Sequence, residues 1–243
     1  MDARLDGIEV KVTIGAEQVQ LARQAFALSG DDGRRRRIYF CEDVAAGGSA
    51  ALPLLDNGII LRLRQNKGGK DDSTVKLRPF DRTRLTPRWL HARKHDGWEF
   101  KVEGDWVGDR HVVAASLVAD QDQVPKVGRG GALPGRAFSA EQEQFLSDCT
   151  PVRVGLDGLQ VLGPVDAIRW KDVPLGDFEA VAEQWDVNGA LRFLELSILV
   201  DPAQAVEAQR SFMRLIAAKG LDPDNRQETK TRMVLEHLAD LRR

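Results

Sequence analysis

Apolar and polar residues alternate along much of this chain, and this pattern predicts β-strands. Residues 8–14 (IEVKVTI) alternate in this way, and the same period of two returns at 58–66, 73–80 and 98–107. Because successive strand side chains point to opposite faces of a sheet, each segment has one apolar and one charged face. Further strands are predicted at 34–43, 151–161, 164–174, 177–187 and 191–201. The segment 111–120 fits either a strand or a short helix.

Helical spacing is confined to a few segments. Residues 16–28 follow Gly15 and predict a helix after the first strand. Ser139 and Gln142 have the spacing of a capping box, which predicts a helix that runs to about Leu146. Residues 121–138, rich in glycine and proline, are expected to form a loop.

Turn and cap residues organise the C-terminal part of the chain. Asn188-Gly189 lies between two predicted strands and predicts a tight hairpin. Asp201 predicts the cap of a helix that ends before Gly220, and an amphipathic helix is predicted at roughly 227–241.

The strands are many, evenly spaced and without solenoid repeats. This organisation predicts an α+β protein built on a mostly antiparallel β-barrel with flanking helices. We expect residues 1–201 to form the barrel domain and residues 202–243 to form helices packed on it.

Composition narrows the function classes. The chain has 243 residues, of which 35 are Lys or Arg and 37 are Asp or Glu, giving a net charge of −2. A general nucleic-acid coat needs a basic surplus, so none is expected. No apolar run of about 18 residues occurs, so no membrane partner is expected, and the N-terminal segment without an apolar core predicts a cytoplasmic protein. Cys41 and Cys149 lack zinc-site spacing and are expected to be free thiols.

Like charges recur on single strand faces. Arg62 and Arg64 share one face, and Lys76 and Arg78 share a face of the next predicted strand of the same hairpin. On any one strand, this face could be the solvent side of an ordinary sheet. Neighbouring like charges are destabilising unless an anion lies between them, and the planar guanidinium binds phosphate oxygens in pairs. The pattern therefore favours an anion site. The run of arginines at 34–37 is interpreted either as a solvated strand entry or as a basic rim that attracts anions.

The order of these segments carries a family resemblance. The series IEVKVTI, RIYFCED, GIILRLRQN, TVKLRPF, WEFKVEG, IRWKDV and LRFLELS resembles the CYTH superfamily, the triphosphate tunnel metalloenzymes, over about residues 7–201. The resemblance implies an eight-stranded antiparallel barrel, open at both ends. In that family, basic residues grip a triphosphate and acidic residues hold Mg²⁺ or Mn²⁺. Its members include inorganic and thiamine triphosphatases, RNA triphosphatases and class IV adenylyl cyclases.

The resemblance also implies roles for individual residues. The substrate-binding residues would be Lys11, Arg62, Arg64, Lys76, Arg78, Arg153 and Arg169. Glu9 and Glu195 would bind the metal, and the central strand would supply Glu99, Lys101 and Glu103 for catalysis.

This chain departs from the family pattern in its acids. Gly7 stands where the opening Glu-x-Glu-x-Lys motif has its first glutamate, and Ser197 replaces the second acid of the late motif. The loss of two carboxylates weakens a magnesium site, although Glu183 or Asp186 could compensate. Cys41 stands where the family usually has Asp.

We therefore expect metal-dependent hydrolysis of an inorganic or organic triphosphate. The alternative is a catalytically weak module that binds polyphosphate or a nucleotide, and a class IV-type adenylyl cyclase is the third candidate. The C-terminal helices could cover the barrel or make a homodimer contact.

Overall fold

The computed structural model describes residues 4–44, 51–223 and 230–241. Its strands are β1 (Gly7–Gly15), β2 (Arg34–Glu42), β3 (Ile59–Asn66), β4 (Asp72–Leu77), β5 (Lys94–His95), β6 (Trp98–Val107), β7 (Arg110–Asp120), β8 (Gln160–Leu175), β9 (Phe178–Val187) and β10 (Leu191–Val200). Its helices are α1 (Val19–Ala25), α2 (Pro53–Asp56), α3 (Pro87–His91), α4 (Val124–Gly128), α5 (Ala140–Cys149), α6 (Ala205–Ala218) and α7 (Lys230–Asp240).

Nine of the ten described strands close into a barrel in the order β1-β10-β9-β8-β2-β3-β4-β7-β6, and β5 is a short addition to β6. Neighbours are antiparallel except for β1 and β6, which run parallel with Gly7 beside Glu103 and Lys11 beside Val107. The expected α+β class is confirmed, but eight antiparallel strands is wrong. Nine strands of alternating direction cannot close without one parallel pair.

The local predictions hold for most elements and fail around residue 155. The ambiguous segment 111–120 is strand β7, and α4 lies within the expected loop 121–138. The strand expected at 151–161 begins only at Gln160 and continues to Leu175 as one long strand, β8. The preceding residues form an irregular segment because Leu156 and Leu159 are buried in the core cluster around Trp89.

Two predicted turn and cap signals are confirmed. Ser139 and Gln142 form the reciprocal capping box of α5. Asn188 and Gly189 both have positive φ, 51° and 74°, and they lie in the three-residue turn 188–190 that joins the paired residues Val187 and Leu191.

The strands bury their apolar faces outward, under helices. Ile8, Val10 and Ile14 of β1 pack in one cluster with residues of α1 and α6. On the other side of the barrel, Leu63 and Phe100 pack in a cluster that includes residues of α4 and α5. Burial of such side chains contributes roughly 1.5–3 kcal/mol each. Much of the apolar stabilisation therefore lies outside the barrel wall, which leaves the central part of the interior to the charged faces.

One end of the interior is apolar. Phe40, Ile60, Trp185 and Phe193 form a buried cluster there with residues of α7. The contributions of α7 are the side chains of Val234, Leu235, Leu238 and Ala239. In the described part of the chain, this helix fills the end nearest the β9–β10 turn, in contrast to the barrel open at both ends that the resemblance implies.

The helices are short and amphipathic. In the described ranges, none combines the length and apolarity that a membrane-spanning helix needs.

Candidate functional site: a charged barrel interior

The barrel encloses a cavity of about 180 Å³ whose wall is dominated by charged side chains. Among the described residues, its basic lining consists of Lys11, Arg36, Arg62, Arg64, Lys76, Arg78, Arg169 and Lys230. The acidic lining consists of Glu9, Glu103, Glu183 and Glu195. Basic groups outnumber acidic groups two to one, so the cavity suits an anion.

Asp105 organises the basic residues on one side of the cavity. Its Oδ1 accepts a 3.0 Å hydrogen bond from Lys11 Nζ, and its Oδ2 accepts bonds of 2.7 Å from Lys76 Nζ and 2.9 Å from Arg78 Nη1. The side chain of Asp105 is only 2% exposed. The carboxylate therefore fixes three cationic groups at one place in the barrel wall.

The Asp105 cluster shifts the pKa values of its members in opposite directions. Burial alone would raise the pKa of Asp105, but Lys11, Lys76 and Arg78 hold it well below its usual range. Burial would lower the pKa of Lys11, but Asp105 and Glu9 raise it above its usual value. Burial lowers the pKa of Lys76 to about 8, because the pull of Asp105 does not offset burial together with Lys11 and Arg78. The nearby acids therefore do not fully stabilise the charged form of Lys76, and a further anion beside it would do so.

The backbone places Arg78 just beyond the end of β4. Its N–H donates to Gly58 O at 2.7 Å. Gly58 has a φ of 74°, and an added Cβ would lie 3.0 Å from Arg78 O. Only glycine accommodates this conformation and close approach without strain.

Arg62 and Arg64 lie side by side on β3, but their surroundings differ. Arg64 Nε donates a 2.7 Å hydrogen bond to Asp72 Oδ1. Arg62 makes a long contact of 3.5 Å with the hydroxyl of Thr74, and its buried Nε has no partner among the described residues. Burial, followed by the neighbouring charge of Arg64, lowers the pKa of the Arg62 guanidinium to about 9. Arg62 is the cationic group of the cavity that most needs an anion.

A second ionic cluster lies on the opposite wall. Glu183 and Glu195 face each other across the β9–β10 pair. Lys230 Nζ lies 2.7 Å from Glu183 Oε2 and 2.7 Å from Glu195 Oε1, and Arg36 Nη1 lies 3.2 Å from Glu183 Oε1. Burial would raise the pKa of Glu183, but Lys230 and Arg36 hold it far below the usual value.

Glu9 and Glu103 form the remaining acidic part of the lining. Glu9 Oε2 lies 2.8 Å from Lys11 Nζ. Burial would raise the pKa of Glu9, but Lys11 and Lys76 keep it below its usual value. Burial, followed by the charge of Glu9, raises the pKa of Glu103. Glu103 is therefore the member of this set that most readily takes up a proton.

The acids do not fit the divalent ion that the family resemblance implies. A hard cation takes several oxygen ligands. Within the described ranges, no group of three or more His, Cys, Asp or Glu side chains is placed to hold a metal. Glu9, Glu183, Glu195 and Asp105 are instead each held by a lysine at 2.7–3.0 Å.

The structure brings together most of the residues that the sequence singled out. Those that line the cavity are Glu9, Lys11, Arg62, Arg64, Lys76, Arg78, Glu103, Arg169 and Glu195. Glu99 and Lys101 form a 3.5 Å ion pair, with side chains 44% and 41% exposed, and neither belongs to the cavity lining. Arg153 lies in a separate groove beside α5 that shares no described lining residue with the cavity.

The structure also gives the positions of Glu183 and Asp186, the acids suggested to compensate for the two missing carboxylates, and of the two cysteines. Glu183 lines the cavity, whereas Asp186 stabilises the hairpin turn by accepting from Gly189 N and from Arg192. Cys41 and Cys149 are free and buried in the same apolar cluster, so Cys41 is a packing residue.

Four residues of the interior have roles that the sequence pattern did not assign. They are Arg36, Asp105 and Lys230, together with Glu183, which was only suggested. Asp105 shares a face of β6 with Glu99, Lys101 and Glu103, so the period of two contained a signal for Asp105. Arg36 lies among four consecutive arginines, and no alternation marks it. For Lys230, at the first position of a separate helix, no local signal exists.

The cavity continues into a basic rim at the end of the barrel opposite α7. We define the basic rim as Arg34, Lys67, Lys70 and Lys171, which line an adjoining hollow of about 410 Å³. This hollow shares Arg36, Arg64 and Arg169 with the cavity. The arginine run therefore divides, because Arg36 points into the barrel and Arg34 lies at the rim, while the Arg37 side chain is 62% exposed.

Comparison with known proteins identifies the fold. No protein-family model matches the sequence, and no curated protein has significant similarity to it. Among solved structures, a candidate adenylate cyclase from Bacillus halodurans is similar, with a TM-score of 0.60 and 12% identity over 95% of this chain and 98% of that one. A candidate adenylyl cyclase from Hippeastrum with a dominant triphosphatase activity has a TM-score of 0.58 and 14% identity, over 95% and 96% of the two chains. At this identity the likeness concerns the fold, and it confirms the CYTH-type fold that the sequence predicts.

Proposed function

We propose that this protein binds the phosphate chain of an inorganic triphosphate or a short polyphosphate inside its barrel. The observation that carries the proposal is the state of Arg62. The Arg62 side chain is half-buried beside Arg64, and its buried Nε has no partner among the described residues. A buried cation without a counterion is costly, and a bound phosphate oxygen would supply both the charge and the hydrogen bond.

The Asp105 cluster supports the same proposal. Asp105 neutralises part of the charge of Lys11, Lys76 and Arg78, yet the pKa of Lys76 stays low, at about 8. An anion placed between this cluster and Arg62 would offset the remaining positive charge. Because these groups are preorganised by the barrel wall, little ordering would oppose binding.

The rim favours an inorganic phosphate chain over a nucleotide. The described residues of the adjoining hollow include arginines and lysines but no aromatic side chain on which a base could stack. Base-stacking platforms usually use aromatic rings. A phosphate chain that extends out of the cavity would instead meet Lys67 and Lys171, so chains longer than three phosphates fit the same path.

Hydrolysis is a second candidate, supported by the triphosphatase activity of the Hippeastrum structural neighbour. In this chain, Lys11, Arg62 and Lys76 would neutralise charge that develops on the phosphoryl oxygens. Glu103 lies in the cavity, and its raised pKa suits a carboxylate that accepts a proton from an attacking water. The paired acids do not fit a divalent ion, so no step here is assigned to a metal.

The proposal is tested by thermal unfolding of the purified protein with tripolyphosphate, ATP or orthophosphate, each in the presence of EDTA. We expect tripolyphosphate to raise Tm more than ATP and far more than orthophosphate. The same samples, with and without Mg²⁺, are assayed for released phosphate. Stabilisation without release supports the binding module, and stabilisation with release supports hydrolysis. No stabilisation by tripolyphosphate under either condition would overturn the proposal.

A further inference from the structure

Lys230 occupies the space between two carboxylates of the barrel wall. Its Nζ lies 2.7 Å from both Glu183 Oε2 and Glu195 Oε1, and it also sits over the Trp185 ring, 4.6 Å from the centroid. The three charged side chains are almost fully enclosed, with exposures of 13%, 13% and 9% for Lys230, Glu183 and Glu195. Such enclosure strengthens the interaction between charges relative to one at the surface.

The two glutamates need a cation at this place. They are directly paired in the register of β9 and β10, so their side chains share one face at adjacent positions. Like charges opposite each other on a sheet repel, and enclosure strengthens the repulsion. A cation that bridges them removes this cost.

The ammonium group is delivered by packing from a distant part of the chain. Lys230 begins α7, whose residues Val234, Leu235 and Leu238 are anchored in the apolar cluster at the end of the barrel. The helix therefore brings its first side chain to the two glutamates. Burial of its apolar side chains offsets the entropy that is lost when the lysine is ordered.

The same acids are those that a divalent ion would need. The family resemblance assigns Glu195 to the metal, and Glu183 is its neighbour. Both Oε2 of Glu183 and Oε1 of Glu195 are in contact with Lys230, and Glu183 Oε1 also accepts from Arg36. A metal ion could bind here only after displacing an ammonium group that already satisfies these oxygens.

We propose that Lys230 is the resident cation of this acidic pair and takes the place of a divalent metal. Phosphate-chain binding in the adjoining cavity is then independent of divalent ions. Lys230 itself lines that cavity, so its charge serves the anion as well as the two glutamates. The independence from metal rests on the proposed function, whereas the occupation of the acidic pair does not.

The occupation is tested with Mn²⁺ alone, in the absence of any phosphate, by counting free Mn²⁺ from its electron paramagnetic resonance signal. The variant Lys230→Met leaves Glu183 and Glu195 without their cation. We expect it to bind one Mn²⁺ at least about tenfold more tightly than the unmodified protein. Lys219→Met, which removes an exposed lysine after α6, is the matched control and should bind Mn²⁺ like the unmodified protein.

A further variant identifies the ligands. Adding Glu195→Gln to Lys230→Met should abolish the gained Mn²⁺ binding. Tight, stoichiometric Mn²⁺ binding by the unmodified protein, or equal Mn²⁺ affinity with and without Lys230, would overturn the proposal.

A measurement on the unmodified protein remains decisive if Lys230→Met does not fold. Tripolyphosphate affinity is measured by calorimetry in EDTA and in excess Mg²⁺. We expect the two dissociation constants to agree within about twofold, since the cation is built in. Binding that requires Mg²⁺ would overturn metal independence, and binding under neither condition would instead remove the proposed function while leaving the Mn²⁺ result intact.

Discussion

Lys76 Nζ, on β4, donates a 2.7 Å hydrogen bond to Oδ2 of Asp105 on β6, two strands away in the same sheet. Lys11 and Arg78 share the same carboxylate. One buried acid therefore holds three cations that strand alternation alone would leave repelling one another. This relationship makes Asp105 the central structural residue of the basic wall.

Asp105→Asn should destabilise the protein strongly. The substitution keeps the shape of the side chain but removes the negative charge that Lys11, Lys76 and Arg78 share. Breaking a buried ion pair in this way costs about 3–5 kcal/mol. Urea unfolding, with and without tripolyphosphate, measures the loss and its recovery, because a bound anion would replace part of the missing charge.

Asp120→Asn is the matched control for Asp105→Asn. Its partner is Lys70 at 2.7 Å, but both side chains are exposed, at 46% and 80%. Exposed pairs contribute at most about 1 kcal/mol, so this variant should remain close to the unmodified protein. Equal stability of the two variants would contradict the role given to Asp105.

Arg62→Gln should weaken tripolyphosphate binding without weakening the fold. Arg62 is half-buried and forms no ion pair with a carboxylate of the described residues, so its removal relieves repulsion from Arg64 in the free protein. Loss of hydrogen bonds between a charged donor and phosphate costs about 1.5–3 kcal/mol, or roughly 10- to 100-fold in dissociation constant. Calorimetric titration measures the affinity, and thermal unfolding measures the stability.

Arg37→Gln serves as the control for Arg62→Gln. Arg37 lies on β2 with its side chain 62% exposed, 3.6 Å from Asp166 on the neighbouring strand. We expect it to leave affinity unchanged. If Arg62→Gln binds tripolyphosphate as tightly as Arg37→Gln, the anion does not lie against Arg62.

Lys76 should make anion binding sensitive to pH. Burial, with Lys11 and Arg78 adding to it, lowers its pKa to about 8. Since the anion favours the protonated lysine, affinity should fall as pH rises through 8, by at most about tenfold per pH unit. Dissociation constants at pH 6.5–9.5 are compared with those of Lys76→Met, because titration of the ligand itself affects both proteins equally.

The sign of the Lys76 effect on stability is opposite to that of Lys11. A lowered lysine pKa penalises folding below about 8, and the penalty disappears as pH rises toward the unfolded value of about 10.4. The raised pKa of Lys11 instead gives stability that is present below the unfolded value and is lost as pH rises through the folded value. If the tripolyphosphate dissociation constant and the free energy of unfolding depend on pH in the same way for the unmodified protein and Lys76→Met, the lowered pKa of Lys76 is contradicted.

The apolar anchor of α7 should be essential to the fold of the barrel end. Leu235 is 2% exposed and packs in the cluster with Trp185 and Phe193. Leu235→Ala should lower the free energy of unfolding by about 2–5 kcal/mol. Leu241→Ala, at a position that is 56% exposed, should change it by less than about 0.5 kcal/mol. Denaturant unfolding of both variants tests whether α7 is part of the cooperative structure.

Local sequence patterns predicted most of the strands because the side-chain period of two is a local property. Val10 and Lys11 had to lie on opposite faces of β1 whatever surrounded the strand. The pattern wrongly predicted a strand at residues 151–159. There, Leu156 and Leu159 are buried in the core although their backbone is not part of a strand. It also left 111–120 ambiguous, since a mostly apolar run fits a strand or a helix equally well.

Alternation did not decide how many strands close the barrel. The count depends on whether residues 151–174 make two strands or one, and on whether the segment 111–120 joins the sheet. With nine strands, the directions of β1 and β6 become equal, and their parallel pairing places Glu9 beside Asp105. The contact between Glu9 and Asp105 follows from closure of the barrel, and no local sequence pattern predicts it.

The sequence by itself determined that charged residues share strand faces, that arginines and lysines recur on them, and that their order resembles the CYTH superfamily. Only the tertiary structure decided which charges meet. The charged faces turn inward because helices α1, α5 and α6 cover the apolar faces from outside. Asp105 meets Lys11, Lys76 and Arg78, and Lys230 meets Glu183 and Glu195, across long separations in the chain. Coulomb interactions depend on distance in space and on enclosure, and neither is encoded in the period of a single strand.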